Sequence, residues 1–153
     1  MSKGIADALV ALLRSPRTKV ERAEKIAELI RHSRNYRWVG VYDVGPEEVS
    51  IIAYSGPDAP AYPQFPITKG LTGSAIRDRK TVVTADVRSD PRYLTAFATT
   101  LSEIIIPVLD EKTGAVIGTI DVESEKANAF SLEDQNLLET CARVASLVLW
   151  RDD

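Results

Sequence analysis

The segment Ser102–Ser124, SEIIIPVLDEKTGAVIGTIDVES, constrains the fold more than any other stretch of the chain. It reads as two strands, SEIIIPVL and AVIGTIDVES, joined by the turn-like DEKTG. Ile and Val dominate both runs, as suits a pleated and half-buried surface. Alternation sorts the second run into two faces, with Thr119, Asp121 and Glu123 on one and Val116, Ile120 and Val122 on the other. In the first run Glu103 shares its face with Ile105, Pro107 and Leu109. Pairing Leu109 with Ala115, around a five-residue loop ending in Gly114, places Glu103 across from Asp121. A slip of one residue sends Glu103 to the opposite face, so the pattern leaves the register open.

The rest of the chain must supply a partner for each face. Its 153 residues, 44% of them hydrophobic, make one domain with a sizeable core. A net charge of −3 and a pI near 5.3, with no basic run, argue against a nucleic acid or an anionic membrane as partner. No apolar segment reaches spanning length and Met1–Ser15 lacks the pattern of a cleaved leader, so the expected location is cytoplasmic. One cysteine excludes a disulfide framework, and one histidine leaves little for zinc or haem. No cofactor and no metal is expected, beyond the weak hard-cation site that carboxylates alone could make.

Two helices come first. Ile5, Leu9, Leu12 and Leu13 fall at helical spacing over 3–14, and Ser15-Pro16 interrupts them. Thr18 and Glu21 form a capping box for a second helix striped by Val20, Ala23, Ala27 and Ile30, with His32 near its end as a capping group. Trp38–Val44 is the first strand, with Trp38, Gly40 and Tyr42 on one face, and Glu48–Tyr54 returns after Gly45-Pro46. Residues 56–66 hold four prolines and read either as a pocket lid or as a plain connection anchored by Tyr62 and Phe65. Gly70–Gly73 opens a short helix whose free N–H groups suit an anion, although the P-loop ending is absent. Val82-Val83 is a short strand, and residues 86–100 form a second long excursion. Ser131 caps the last helix, 132–150, where Cys141 lies in the apolar stripe. Leu147 and Trp150 add an apolar edge beyond what one sheet contact needs, which points to a homodimer through the terminal helices.

Taken in order, WVGVYDV at 38–44, KGLTGSAIRDRKTVVTADV at 69–87, the hairpin with its SEI and IGTIDVES, and AFSLEDQNLLETCARVASLVL at 129–149 resemble a GAF domain. The resemblance implies an α+β, GAF/PAS-like fold: a central antiparallel sheet of five or six strands, N- and C-terminal helices on one face, and a ligand pocket on the other. Residues 1–34 would form the N-terminal, dimerising helices and 35–153 the GAF domain proper. Within the family, the signatures are similar to those of free methionine-R-sulfoxide reductases. The positions matching that branch's three cysteines are Tyr62, Thr72 and Ala96, so reductase chemistry is not expected. The acidic residues that hold the substrate's ammonium in that branch match Glu103, Asp121 and Glu123. Several carboxylates in one half-buried cup repel one another unless a cation joins them, and Trp38 offers a wall or a cation–π face. The opposing interpretation is strand-end carboxylates that are merely solvated. The leading expectation is therefore a non-catalytic sensor domain that binds an amino acid or small amine through Trp38, Tyr62, Thr72, Glu103, Asp121 and Glu123. The alternatives are a reductase-like enzyme and an interaction module with a vestigial pocket.

Overall fold

The computed structural model describes residues 2–150. Helix α1 (Ser2–Val10) tightens into a 3-10 turn at Ala11–Arg14, and α2 spans Lys19–Ser33. Strands β1 (Trp38–Val44), β2 (Glu48–Ser55) and β3 (Gln64–Pro66) follow. Then come α3 (Gly70–Asp78), β4 (Val82–Thr84), β5 (Ser102–Leu109), β6 (Val116–Ser124) and α4 (Leu132–Leu149). The six strands form one antiparallel sheet in the order β3-β2-β1-β6-β5-β4, so the α+β expectation holds with six strands. Among the described residues no helix is long and apolar enough to cross a membrane.

Local chemistry starts the helices where the sequence indicates. Glu21 N–H donates to Thr18 Oγ1 at 3.2 Å while Thr18 N–H donates to Glu21 Oε1 at 2.9 Å. Ser131 and Asp134 repeat the box at the start of α4. Such caps satisfy N–H groups that a helix cannot satisfy internally. One face of the sheet, carrying Val39, Val41, Ile104, Ile106, Val108, Ile120 and Val122, packs against Ile26 and Ile30 of α2 and Leu138, Cys141 and Ala145 of α4. Helix α1 adds Leu9 to this core and packs chiefly on α4 and α2, in a layer outside them.

The hairpin register differs from the pairing of Leu109 with Ala115. Asp110 N–H donates to Ala115 O, and the Asp110 carboxylate accepts from Lys112 and Thr113 N–H, so the loop closes one residue tighter. A bulge between Val108 and Leu109 in the ladder then adds a second residue of shift. Glu103 therefore faces Glu123, and Ile105 faces Asp121. A shift of two preserves the face, so Glu103 stays on the side of Asp121 and Glu123. Pro107 is tolerated because β4 pairs only with Glu103–Ile105, leaving the strand's later residues at an open edge.

Trp150, read from the sequence as part of a free apolar edge, is docked on its own chain. Its Nε1 donates to Asp43 Oδ1 at 2.7 Å, Lys19 lies over its ring, and the ring fills the space above Gly118. A methyl group at 118 would land on that ring and on the Tyr42 carbonyl. Gly118→Ala is therefore expected to lose about 1–3 kcal/mol, the usual cost of overpacking. Urea titration followed by tryptophan emission checks it, with a lower midpoint and a red-shifted native spectrum as the outcome.

Candidate functional site

The face of the sheet away from α2 and α4 carries the polar residues in rows. One row crosses four strands as Thr84, Glu103, Glu123 and Trp38. The next runs Val82, Ile105, Asp121 and Gly40, and the third Pro107, Thr119 and Tyr42. Gly40 belongs there because the rings of Trp38 and Tyr42 close over it and occupy the place a Cβ would take. Glu103 and Glu123 are direct cross-strand neighbours, Asp121 is diagonal to Glu103, and one oxygen of each lies within 4.8 Å of the other two.

All three carboxyl groups are buried, at 4%, 5% and 1% exposed for Glu103, Asp121 and Glu123. Burial, then the charges of Asp121 and Glu123, pushes Glu103 well above the usual carboxylate range. Burial raises Asp121 to about 6, against the pull of its hydrogen bonds with Glu103 and Glu123. Burial and the Asp121 charge raise Glu123 to about 8, opposed by hydrogen bonds from Thr100 and Tyr93.

Those two hydrogen bonds come from the cover. Thr100 Oγ1 and Tyr93 Oη donate to Glu123 Oε1 at 2.8 and 3.0 Å. The excursion that carries them is tied down at Arg92, which bonds Asp90 and Ser74. Ala61 N–H donates to Ala96 O, joining it to the proline-rich segment. Beneath this cover lies a cavity of about 20 Å³, lined by Tyr42, Tyr62, Phe65, Leu94, Ile105 and the three carboxylates, with Gly70, Leu71, Thr72 and Ala96 completing it. That volume has room for about one water. Asp121 Oδ1 and Glu123 Oε2 have no hydrogen-bond partner in the protein.

Of the six residues singled out from the sequence, Glu103, Asp121, Glu123, Tyr62 and Thr72 line this one cavity. Trp38 does not. Its ring stacks on Tyr54, meets Phe97 edge-on at 5.1 Å, and donates from Nε1 to Asp58 O. It closes the end of the site beside Glu123 in a separate depression of about 30 Å³. Tyr62, at 46% exposed, stands at the rim. Tyr42, Tyr93 and Thr100 complete the site and were not singled out. Tyr42 follows from its alternation with Trp38 and Gly40, whereas no periodicity marks Tyr93 or Thr100 within their irregular segment. Cys141 is on the other side of the sheet, in the core, where burial pushes its thiol up to about 12. Roomier depressions exist, including an open groove of about 740 Å³ between β5 and α4, but Glu103, Asp121 and Glu123 do not line it.

The burial has a consequence for stability. Each of the three groups has a folded pKa above its unfolded value, so each stabilises the fold fully below about pH 4 and loses that contribution as pH rises through its folded pKa. Unfolding free energy is expected to fall between pH 5 and about pH 9. Urea melts across that range check this, and Glu123→Gln should flatten the upper part of the slope.

Comparison with known proteins agrees with this architecture. The family model described as the GAF domain matches residues 20–149. The chain is 29% identical to GAF domain-containing protein A of Dictyostelium discoideum over 128 residues, covering 83% of this chain and 78% of that protein. A GAF sensor protein from Burkholderia vietnamiensis superposes with a TM-score of 0.86 at 28% identity, over 97% of this chain and 93% of that one. The type II free methionine-R-sulfoxide reductase from Thermoplasma acidophilum superposes with a TM-score of 0.76 at 31% identity, over 92% and 94%. With a family match across most of its length and the six-stranded sheet described above, the chain belongs to the GAF domain family.

Proposed function

We propose that this GAF domain is a non-catalytic sensor module that binds a small molecule bearing a primary ammonium, with free amino acids as the preferred class. The observation that carries this reading is the trio of buried carboxylates, to which no Lys, Arg or His is bonded among the described residues. Carboxylates taken out of water are costly unless paired, and an ammonium offers three donors to them. The opposite wall supports the zwitterion. Gly70, Leu71 and Thr72 are the first turn of α3, Lys69 provides no side-chain cap, and the first backbone bond of the helix comes from Gly73. Uncapped N–H groups at a helix start favour a carboxylate. Both relatives contribute to the reading: one is named as a GAF sensor protein, and the other is named for acting on free methionine-R-sulfoxide, an amino acid.

Thiol chemistry has no residue to perform it here. Tyr62, Thr72 and Ala96 line the cavity at the positions where the resemblance places cysteines, and Cys141 lies across the sheet with its thiol held protonated. A second reading, an interaction module with a vestigial pocket, is favoured by one observation, the cavity's small volume of about 20 Å³.

Thermal melts against a panel of amino acids and their uncharged analogues separate the two readings. A free amino acid should raise the melting temperature while its analogue does not. Asp121→Asn should weaken that response about tenfold or more, since a charge-assisted hydrogen bond contributes roughly 1.5–3 kcal/mol. Glu103→Gln, which removes one of the mutually repelling buried carboxyl groups, should keep the fold of the unliganded protein. If no amine shifts either variant or the wild type, the vestigial reading holds.

The sensor is further proposed to act as a homodimer through its terminal helices. Because Trp150 is engaged within its own chain, the contact falls to Leu147 and Val144 of α4, each partly buried, and to the exposed Val10 of α1. Light scattering at micromolar concentration should give twice 16.8 kDa, and a monomer throughout would remove this part of the proposal.

A further inference from the structure

We propose that residues 88–100 form a hinged flap that shuts the cup against its own ligand, with Leu94 as the plug. The inference rests on the amino-acid reading for the size of what must enter, and it concerns how entry is controlled. The flap is joined at its base, where Val87 N–H donates to Leu101 O and Leu101 N–H donates to Ser124 O, each at 2.8 Å. Between those bonds the chain has no helix or strand past Ser89. A surface loop of this length with its ends held together is an Ω-loop.

Few bonds hold the flap down. From Pro91 to Thr99 one backbone hydrogen bond reaches the rest of the protein among the described residues, from Ala61 N–H to Ala96 O. The other polar ties come from side chains. Arg92 Nη1 donates to Ser74 Oγ at 3.1 Å, and Tyr93 and Thr100 donate to Glu123. Phe97 adds apolar contact against Trp38. A segment with so few backbone bonds opens ahead of the paired strands beneath it.

Its closed position excludes the ligand. The cavity of about 20 Å³ has room for about one water, whereas an amino acid needs several times that. Leu94 Cβ lies 3.2 Å from the place a Cβ at Gly70 would take, so the leucine is seated directly on the first turn of α3. That turn is the wall assigned to the ligand's carboxylate, and a leucine offers an anion nothing. Flap and ligand thus compete for one place, and the ligand binds only the open fraction.

The test measures opening and binding separately on the whole chain. Hydrogen exchange read by mass spectrometry reports opening without ligand, and calorimetry with the standard amino acids as probes reports affinity. In the wild type, amides of residues 92–99 should exchange well before those of β5 and β6. Arg92→Ala should speed that exchange about tenfold, the scale of one hydrogen bond to a charged group, and leave the sheet unchanged. Leu94→Ala should act in the same direction. Each should tighten amino-acid binding by the factor it adds to opening, because apparent affinity scales with the open fraction. Arg92 does not line the cavity, so its loss reaches the ligand only through the flap. Faster exchange with weaker binding in Leu94→Ala makes Leu94 a wall of the site and overturns the proposal. Wild-type exchange of residues 92–99 no faster than that of the strands overturns it too. If no amino acid binds any of the three proteins, the amino-acid reading falls and exchange alone decides the flap. Early opening that both substitutions accelerate then upholds it, and its absence overturns it.

Discussion

Three carboxyl groups held out of water set the terms for everything on one side of this sheet. An ionised carboxylate in a low-dielectric interior is among the most expensive groups a domain can bury. Burial pushes the pKa of all three upward, toward the less costly neutral form, and Glu123 is held by two hydroxyls from the cover. The arrangement follows the β5–β6 register, which pairs Glu103 with Glu123 and leaves Asp121 on the diagonal. The opposite side supplies the compensation. Its Ile and Val side chains pack without gaps of polarity against α2 and α4, and their burial offsets the conformational cost of ordering the chain.

The division of labour between the faces was legible in the sequence because alternation in a strand is a strong constraint. Thr119, Asp121 and Glu123 against Ile120 and Val122, or Trp38, Gly40 and Tyr42 against Val39 and Val41, can be sorted without any knowledge of partners. Caps were legible for a similar reason, since Thr18 with Glu21 and Ser131 at the start of α4 act through bonds that span only three residues. The same locality explains Cys141, which falls in an apolar helical stripe and lies in the core.

What escaped the sequence depends on contacts between distant segments. The register moved by two because a tighter turn at Asp110 and a bulge beside Val108 each contribute one residue, and neither leaves a distinct mark in DEKTG or GAVIG. Tyr93 and Thr100 sit in a segment with no period, so nothing before folding identifies them as partners of Glu123. Trp38 has the right face but the wrong neighbour. Its ring is consumed by Tyr54 and Phe97 rather than offered to the cavity, and that depends on where the excursion returns. Trp150 likewise looked surplus until the sheet curled to bring Gly118 and Asp43 beneath it.

Glu123 serves two structures with its two oxygens: Oε1 anchors the cover through Tyr93 and Thr100, while Oε2 lies in the cup. Under the proposed binding, occupancy of the cup and closure of the cover would therefore be thermodynamically linked. Any occupant too large for the closed form binds only to the open fraction, and its apparent affinity is the intrinsic affinity scaled down by that fraction. An occupant that strengthens the charge on Glu123 strengthens its grip on both hydroxyls and draws the cover down. By reciprocity, whatever holds the cover shut raises affinity for small occupants and excludes large ones. On the proposed reading, a single carboxylate would convert the size of what it binds into the position of a surface segment.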